Sequence, residues 1–427
     1  MSNPINRRTL AAKLTPQKPT DIHEGRFNFP TWRDNNSFIS LADFPSYIPE
    51  KHNPNVLIRG RWLERGGSAW LISTAGTGKS IWLTQFALCA TAGIPFSGLT
   101  PNRPLNIWVF QSEDSPTRIT IDREDILAEL RETRPDIPWD EIARRVMFFR
   151  TTGDNGVQFL QRLAAFLDKA QAAHALPDII IFNPFFAFIG GAINDSACVS
   201  PFLRGGMIGR DHTDGLQKIM EDYGIGAMFA HHTPKPPTNK ELDAWMNTPF
   251  PEYLGAGSSE ITNWGRSFIT MMKVKGTSDK VCLTAGKNGA GLGWRDAGGM
   301  RRLYLAWSDG ESIDGEHQRR HAWRELTPDE MAEVSKELGD QVEADARKLA
   351  ELLRETPKLK SQLKLAVVFP RQLSRIRQRE ALKKIEDNPS DYGLAIVPWR
   401  VGKIGGAYVG TPEAAAREAE IEVKNRS

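Results

Sequence analysis

Eight consecutive residues, Ser73-Thr74-Ala75-Gly76-Thr77-Gly78-Lys79-Ser80, combine small, flexible and charged side chains in an order suited to holding phosphate. They follow the apolar run Ala69-Trp70-Leu71-Ile72 and precede the helical pattern Ile81-Trp82-Leu83-Thr84-Gln85-Phe86-Ala87-Leu88. Strand, glycine-rich turn, Gly-Lys-Ser and helix is the order of a phosphate-binding loop. Gly76 and Gly78 let backbone N–H groups turn inward around a β-phosphate. Lys79 then reaches the β- and γ-phosphates, Ser80 offers its hydroxyl to Mg2+, and the helix N-terminus favours the anion. The cofactor-binding stretch is Thr74, Ala75, Gly76, Thr77, Gly78, Lys79, Ser80 and Ile81. Ser73 stands where the first glycine of such a loop usually sits, a position that eases the turn without bonding phosphate.

Such a loop needs partners for the metal, the attacking water and the γ-phosphate. The apolar run Leu105 to Phe110 leads into Gln111-Ser112-Glu113-Asp114-Ser115. Two carboxylates therefore sit at the C-terminal end of a strand, the edge where open α/β sheets bind ligands. Glu113 is placed to polarise an attacking water; alternatively the cluster is a helix N-cap, with Asp114 or Ser115 capping the following segment, and Asp114 is otherwise a support for its neighbour. The strand Ile179 to Phe182 ends in Asn183-Pro184, where a nucleotide-hydrolysing site usually carries an aspartate that accepts from metal-bound water. Asparagine accepts through its carbonyl but brings no charge, so the metal set is Ser80, Glu113 and Asn183, with Asp195 either a supplement or a loop turn. Met228 to Ala230 ends in His231-His232-Thr233, and His232 is positioned to donate to the γ-phosphate and report its loss. Finally, Gly255-Ala256-Gly257-Ser258-Ser259 precedes Asn263 and Arg266. A guanidinium there either reaches a neighbouring subunit's γ-phosphate or is simply solvated.

These residues must be carried by a scaffold, and the hydrophobic pattern supplies one. After the loop helix, the chain alternates helical stretches (Arg118 to about Arg131, Gln158 to about Ala173, Leu216 to Tyr223) with apolar strands (Val146 to Phe149, Ile179 to Phe182, Gly226 to Ala230). That alternation predicts an α/β fold with a mostly parallel sheet between helices. Ser267 to Met272, Val281 to Leu283 and Leu303 to Leu305 predict an antiparallel extension. A charged helical stretch follows from Pro328 to about Glu355.

With 427 residues, the chain is long enough for two or three units. Its 25% charged and 40% hydrophobic residues are ordinary for a globular protein. The three cysteines Cys89, Cys198 and Cys282 lie far apart, which argues against a disulfide framework or a zinc ribbon and fits a reducing, cytoplasmic setting. No run of about 18–20 apolar residues suggests a membrane span.

Taken in order, Ser-Thr-Ala-Gly-Thr-Gly-Lys-Ser, Gln-Ser-Glu-Asp, Ile-Ile-Ile-Phe-Asn-Pro, Phe-Ala-His-His-Thr and Gly-Ala-Gly-Ser-Ser with Arg266 resemble the RecA-like ATPases of the plasmid RepA-type hexameric helicase family. The resemblance covers about residues 45–310. It implies ATP and Mg2+ as cofactors and a catalytic set of Lys79, Glu113, His232 and Arg266, with Glu113 as the catalytic carboxylate, His232 as sensor and Arg266 as arginine finger. It also implies a homo-oligomeric ring, with ATP at subunit interfaces and single-stranded or forked DNA in the channel. Ser73 and Asn183 depart from the family pattern.

The segment Lys358 to Lys403 is basic: Arg371, Arg375, Arg379 and Lys383 are joined by further Lys and Arg and opposed only by Glu380, Glu386, Asp387 and Asp391. Leu349 to Leu353, Leu363 to Val368 and Leu373 to Ile385 suggest three short helices, and Leu394 to Trp399 with Ala407 to Val409 a two-stranded wing. Three helices and a hairpin resemble a winged helix-turn-helix, whose last helix would place Arg375, Arg379 and Lys383 along a phosphate-contacting face, together with Arg371. A protein-docking winged helix is the alternative. The expected organisation is a flexible arm (1–40), an ATPase domain (41–312), a linker helix region (313–340), a basic winged-helix-like module (341–412) and a tail (413–427). The functional expectation is a DNA helicase or translocase of a plasmid, phage or integrated element. Its rival is a slow or non-hydrolysing ATP-binding regulatory or DNA-binding protein whose nucleotide holds an oligomer.

Overall fold

The computed structural model describes residues 46–151, 153–208, 211–234, 251–274, 277–296, 300–315, 319–365, 375–402 and 404–426. Described residues 46–234 and 252–325 form one compact unit, and those from 326 onwards a second.

The first unit is organised by a nine-stranded sheet in the order β13-β12-β11-β10-β3-β9-β6-β4-β5. A separate two-stranded ladder of β1 (Val56–Ile58) and β2 (Leu63–Glu64) precedes it. Six strands run parallel: β3 (Ser68–Ser73), β4 (Ile107–Gln111), β5 (Val146–Arg150), β6 (Ile179–Asn183), β9 (Gly226–His232) and β10 (Ser267–Lys273). In all but β5, a near-continuous apolar composition matches burial on both faces, whereas the edge strand β5 is partly exposed. β11 (Lys280–Ala285), β12 (Arg302–Ser308) and β13 (Arg320–Glu325) extend the sheet antiparallel from β10. A short hairpin, β7 (Gly206–Ile208) with β8 (Asp211–Thr213), stands apart.

Alternation along each strand sends side chains to opposite faces. On one face, Leu71, Val109, Ile181, Met228 and Ile269 join the apolar side of helices α1 (Lys79–Ala92) and α2 (Pro116–Thr133) in a single core. On the other, the register aligns Phe268, Trp70, Phe229, Phe182, Phe110 and Phe149, one from each parallel strand. Successive rings are near-parallel, with centroids 4.4–6.1 Å apart. Cross-strand aromatic pairs of this kind stabilise a sheet by roughly 0.2–1 kcal/mol each and fix its register.

The remaining helices of this unit are α3 (Trp139–Arg145), α4 (Gly156–Ala172), α5 (Ser196–Arg204), α6 (Gly215–Tyr223) and α7 (Ser259–Trp264). Two readings of the sequence need correction. His231 and His232 lie inside β9 rather than after it, because that strand keeps pairing with β3 through Ser73. The segment expected to begin a linker at 313 contains β13, which pairs with β12 and closes the sheet. Of the two roles open to Asp195, the structure shows the local one: its carboxylate caps α5, accepting from Ala197 N.

The second unit comprises α8 (Pro328–Glu355), β14 (Lys358–Leu359), α9 (Lys360–Leu365), α10 (Arg375–Asp387), β15 (Ala395–Val401), β16 (Ile404–Gly410) and α11 (Pro412–Arg426). Thr327 and Glu330 form a capping box that starts α8. Leu349 to Leu353, expected as a short helix, is the last part of this long one. The three strands form an antiparallel sheet in the order β14-β16-β15. Leu349, Leu353, Leu363, Leu382, Ile385 and Val409 centre a small core of their own. The Ala/Glu-rich end forms α11, and Arg426 at its close lies over the Trp399 ring of β15, 5.1 Å from the centroid.

Candidate functional site

The loop between β3 and α1 is shaped by two glycines in the left-handed region, Gly76 at φ 66° and Gly78 at φ 89°. Only glycine takes those angles without strain. Thr77 is buried and braces the turn, its hydroxyl 2.8 Å from both the Thr74 hydroxyl and the Thr74 carbonyl. Gly78 caps α1 without any side-chain acceptor, so the first N–H groups of the helix face an anion site with no competing oxygen of their own.

Lys79 turns back into this loop and is 7% exposed. Its ammonium donates to Ser73 Oγ at 3.1 Å and Thr74 O at 3.2 Å, and stands 3.3 Å from His232 Nδ1. Burial lowers the Lys79 pKa to about 8, while the Glu113 charge pulls it up. Ser73 is thus more than a substitute for glycine: its hydroxyl holds the lysine and donates in turn to Thr74 O at 2.9 Å. Sequence reasoning missed that role, although a hydroxyl six residues before the loop lysine was the signal available.

His232 reaches the site from the end of β9. Burial, and then the neighbouring Lys79 charge, lower its pKa to about 4, so the ring is neutral at pH 7. An ammonium can only donate, which makes Nδ1 the acceptor and puts the ring proton on Nε2. His231 points to the opposite face and does a different job. Burial lowers it to about 4, and its Nε2 lies 2.6 Å from Ala256 O. Ala256 N donates to His232 O at 2.8 Å, so the Gly255–Ser259 segment is fastened to the end of β9.

Asn183 ends β6, and its carboxamide Nδ2 donates to Ser80 Oγ at 2.9 Å. A carboxylate at this position could only accept, so the sense of the bond is reversed. Ser115, not Asp114, caps α2 by accepting from Arg118 N. Asp114 accepts from Gln111 Nε2 and, with Ser80, Thr84, Gln111 and Asn183, lines a small cleft at the sheet edge. Glu113 lies beside it, its carboxyl raised above the ordinary value by burial and then by Asp114, against the pull of Lys79. Ser80, Asn183 and the two carboxylates are hard oxygen donors, and buried Gln111 Oε1 and Ser112 Oγ have no hydrogen-bond partner. That donor set fits Mg2+, which is usually held by one or two protein oxygens plus substrate phosphates. Among the described residues there is no cluster of three His, Cys, Asp or Glu that would hold a metal unaided.

The structure therefore gathers Lys79, Ser80, Glu113, Asn183 and His232 at one edge. Arg266 is elsewhere. It is exposed, immediately precedes β10, and its N–H donates to Ser68 O at 3.3 Å, at the start of β3. Five residue steps of about 3.3 Å separate that end from the loop, beyond the reach of an arginine side chain. Of the basic residues read as a nucleic-acid face, Arg371 lies outside the described residues. Arg375 and Arg379 lie on α10, whose Lys383 is exposed.

Among the described residues, no helix is long and apolar enough to cross a membrane. No curated protein matches the chain at a significant level. Residues 38–238, the span holding β3 through β9, match the family model described as an AAA domain, and this stretch is accordingly similar to P-loop ATPases.

Proposed function

We propose that this protein is a Mg2+-dependent ATPase of the RepA-type helicase class, working as a ring that moves on or remodels single-stranded DNA. The observation that carries the reading is the split of the catalytic set between two ends of one sheet. Lys79, Ser80, Glu113, Asn183 and His232 converge on the loop, whereas Arg266 stands exposed at the opposite end. If Arg266 stabilises γ-phosphate charge, it does so in the site of another copy of the chain.

Each residue has a distinct task. The loop N–H groups and Lys79 hold the phosphates, which positions the γ-phosphoryl group for in-line attack. Glu113 takes up a proton from, and orients, the attacking water; its raised pKa suits a base. His232 presents its Nε2 proton and exchanges its Lys79 contact for the phosphate. Mg2+, when bound through Ser80 and Asn183, would neutralise charge on the β- and γ-oxygens.

The second unit supports a nucleic-acid role. The order helix, strand, two helices and hairpin, with strand order β14-β16-β15, supports a winged-helix reading, in which α10 would serve as the recognition helix with Arg375, Arg379 and Lys383 along it. Arg371 belongs to the same basic segment. One observation favours a slower cycle: the Asn183 amide hydrogen occupies the Ser80 hydroxyl, the reverse of what a metal-supporting carboxylate does. An ATP-binding protein that holds its oligomer and turns over slowly is the second reading. Strand separation of a forked duplex with ATP and Mg2+ tests the first: unwinding supports the motor, and ATP binding without unwinding or DNA-stimulated turnover supports the second.

A further inference from the structure

Trp307 on β12 and Trp323 on β13 pair across the ladder, and their rings stack 3.7 Å apart at 17°. Trp323 is buried and fixed. Its Nε1 donates to Gly78 O at 3.2 Å, and its backbone exchanges two 2.8 Å hydrogen bonds with the Gln85 carboxamide of α1. Trp307 keeps part of its surface open. A Cβ on Gly78 would fall 2.6 Å from Trp323 and 2.8 Å from Trp307. Both rings therefore lie directly against the residue that opens the anion-binding helix.

Register shows which end of the sheet this is. Ser73 is level with Met271, Met271 with Leu283, and Leu283 with Leu303. Trp307 lies four residues further along β12, past the edge where the phosphates would sit and on the α1 side, because Leu303 and Leu305 of the same alternation pack with α1. The ring is held there by the buried Trp323 beneath it, and His321 stands beside it at 5.8 Å. A large, rigid, partly open indole next to a triphosphate anchor has one evident use.

We propose that Trp307 is the platform on which the nucleobase of the bound triphosphate stacks, so that the site takes nucleotides in preference to base-free polyphosphate. The proposal rests on the loop being a nucleotide site. Stacking needs only a π-face, so adenine and guanine are held alike, and loss of one stacked ring weakens base binding about five- to 150-fold.

The test is titration calorimetry of the full chain with Mg2+ and ATP, GTP or inorganic tripolyphosphate. Trp307→Ala is expected to weaken ATP and GTP by about fivefold or more while leaving tripolyphosphate unchanged, and Trp307→Phe to restore most of the affinity. Unchanged ATP binding by Trp307→Ala would overturn the proposal. So would an equal loss for tripolyphosphate, because Trp307 would then merely support the loop. Failure of the unsubstituted protein to bind any of the three would instead remove the nucleotide site itself, and this proposal with it.

Discussion

The Lys79 ammonium stands 3.3 Å from Nδ1 of His232, so the residue proposed to hold phosphate and the imidazole proposed to sense it are direct partners. Each is held neutral-leaning by burial, and the contact lets His232 register where Lys79 is. In the proposed cycle, a γ-phosphate that draws Lys79 forward would free Nδ1, and hydrolysis would restore the pair. The first consequence is a proton linkage.

In the free protein burial takes Lys79 from the ordinary 10.5 to about 8. Bound phosphate adds negative charge beside it and raises that value. ATP binding at pH 8.5 is therefore expected to take up protons through Lys79, and at pH 6.5, where the ammonium is already formed, this uptake vanishes. Calorimetry in buffers of different ionisation heats measures it. Net proton release at pH 8.5 would contradict the linkage.

Asn183→Asp should speed the cycle. A carboxylate beside Ser80 accepts the hydroxyl proton and turns the oxygen's lone pairs outward, where the present amide donates to that oxygen. Turnover at limiting Mg2+ is expected to rise several-fold, an effect of about 1 kcal/mol, as for one charge-assisted hydrogen bond. Unchanged or lower turnover would assign Asn183 to packing alone.

Acid should unfold the first unit early. His231 and His232 have folded pKa values of about 4 against an ordinary 6.5. The unfolded chain thus binds more protons between those values, so the stability from keeping the rings neutral is complete above pH 6.5 and is lost as pH falls towards 4. Thermal unfolding followed from pH 7 to 4 should show a falling Tm. His231→Gln, which keeps a donor for Ala256 O, should flatten that fall; an identical slope would exclude His231 as a contributor.

Arg266 completes a neighbour's site on this account. Lys79→Ala and Arg266→Ala subunits should each be inactive alone and regain turnover when mixed, because a Lys79→Ala subunit still lends its arginine. ATPase assays on mixtures decide it. A mixture as inactive as its components would place Arg266 outside the reaction.

Much of this site was legible because its pieces are local. Gly76 to Ser80 are contiguous, Asn183 and His232 each end an apolar strand, and Glu113 follows one by two residues; burial on both faces makes those strands visible. What escaped depends on contacts distant in sequence. Trp323 docks on Gln85 across 238 positions, and no period in the chain announces that pairing. The six-ring ladder from Phe268 to Phe149 exists only once the register of six strands is known. Ser73 looked like a tolerated loss of glycine because its value lies in a hydroxyl aimed at Lys79. The hairpin β7–β8 was missed because its strands are only three residues long, too short for alternation to register.

Steady-state ATP hydrolysis with Mg2+, in the presence and absence of single-stranded DNA, tests the central claim most directly. The account predicts turnover that single-stranded DNA stimulates and that Lys79→Ala abolishes. Nucleotide binding with no turnover in either condition, or turnover untouched by Lys79→Ala, would contradict it.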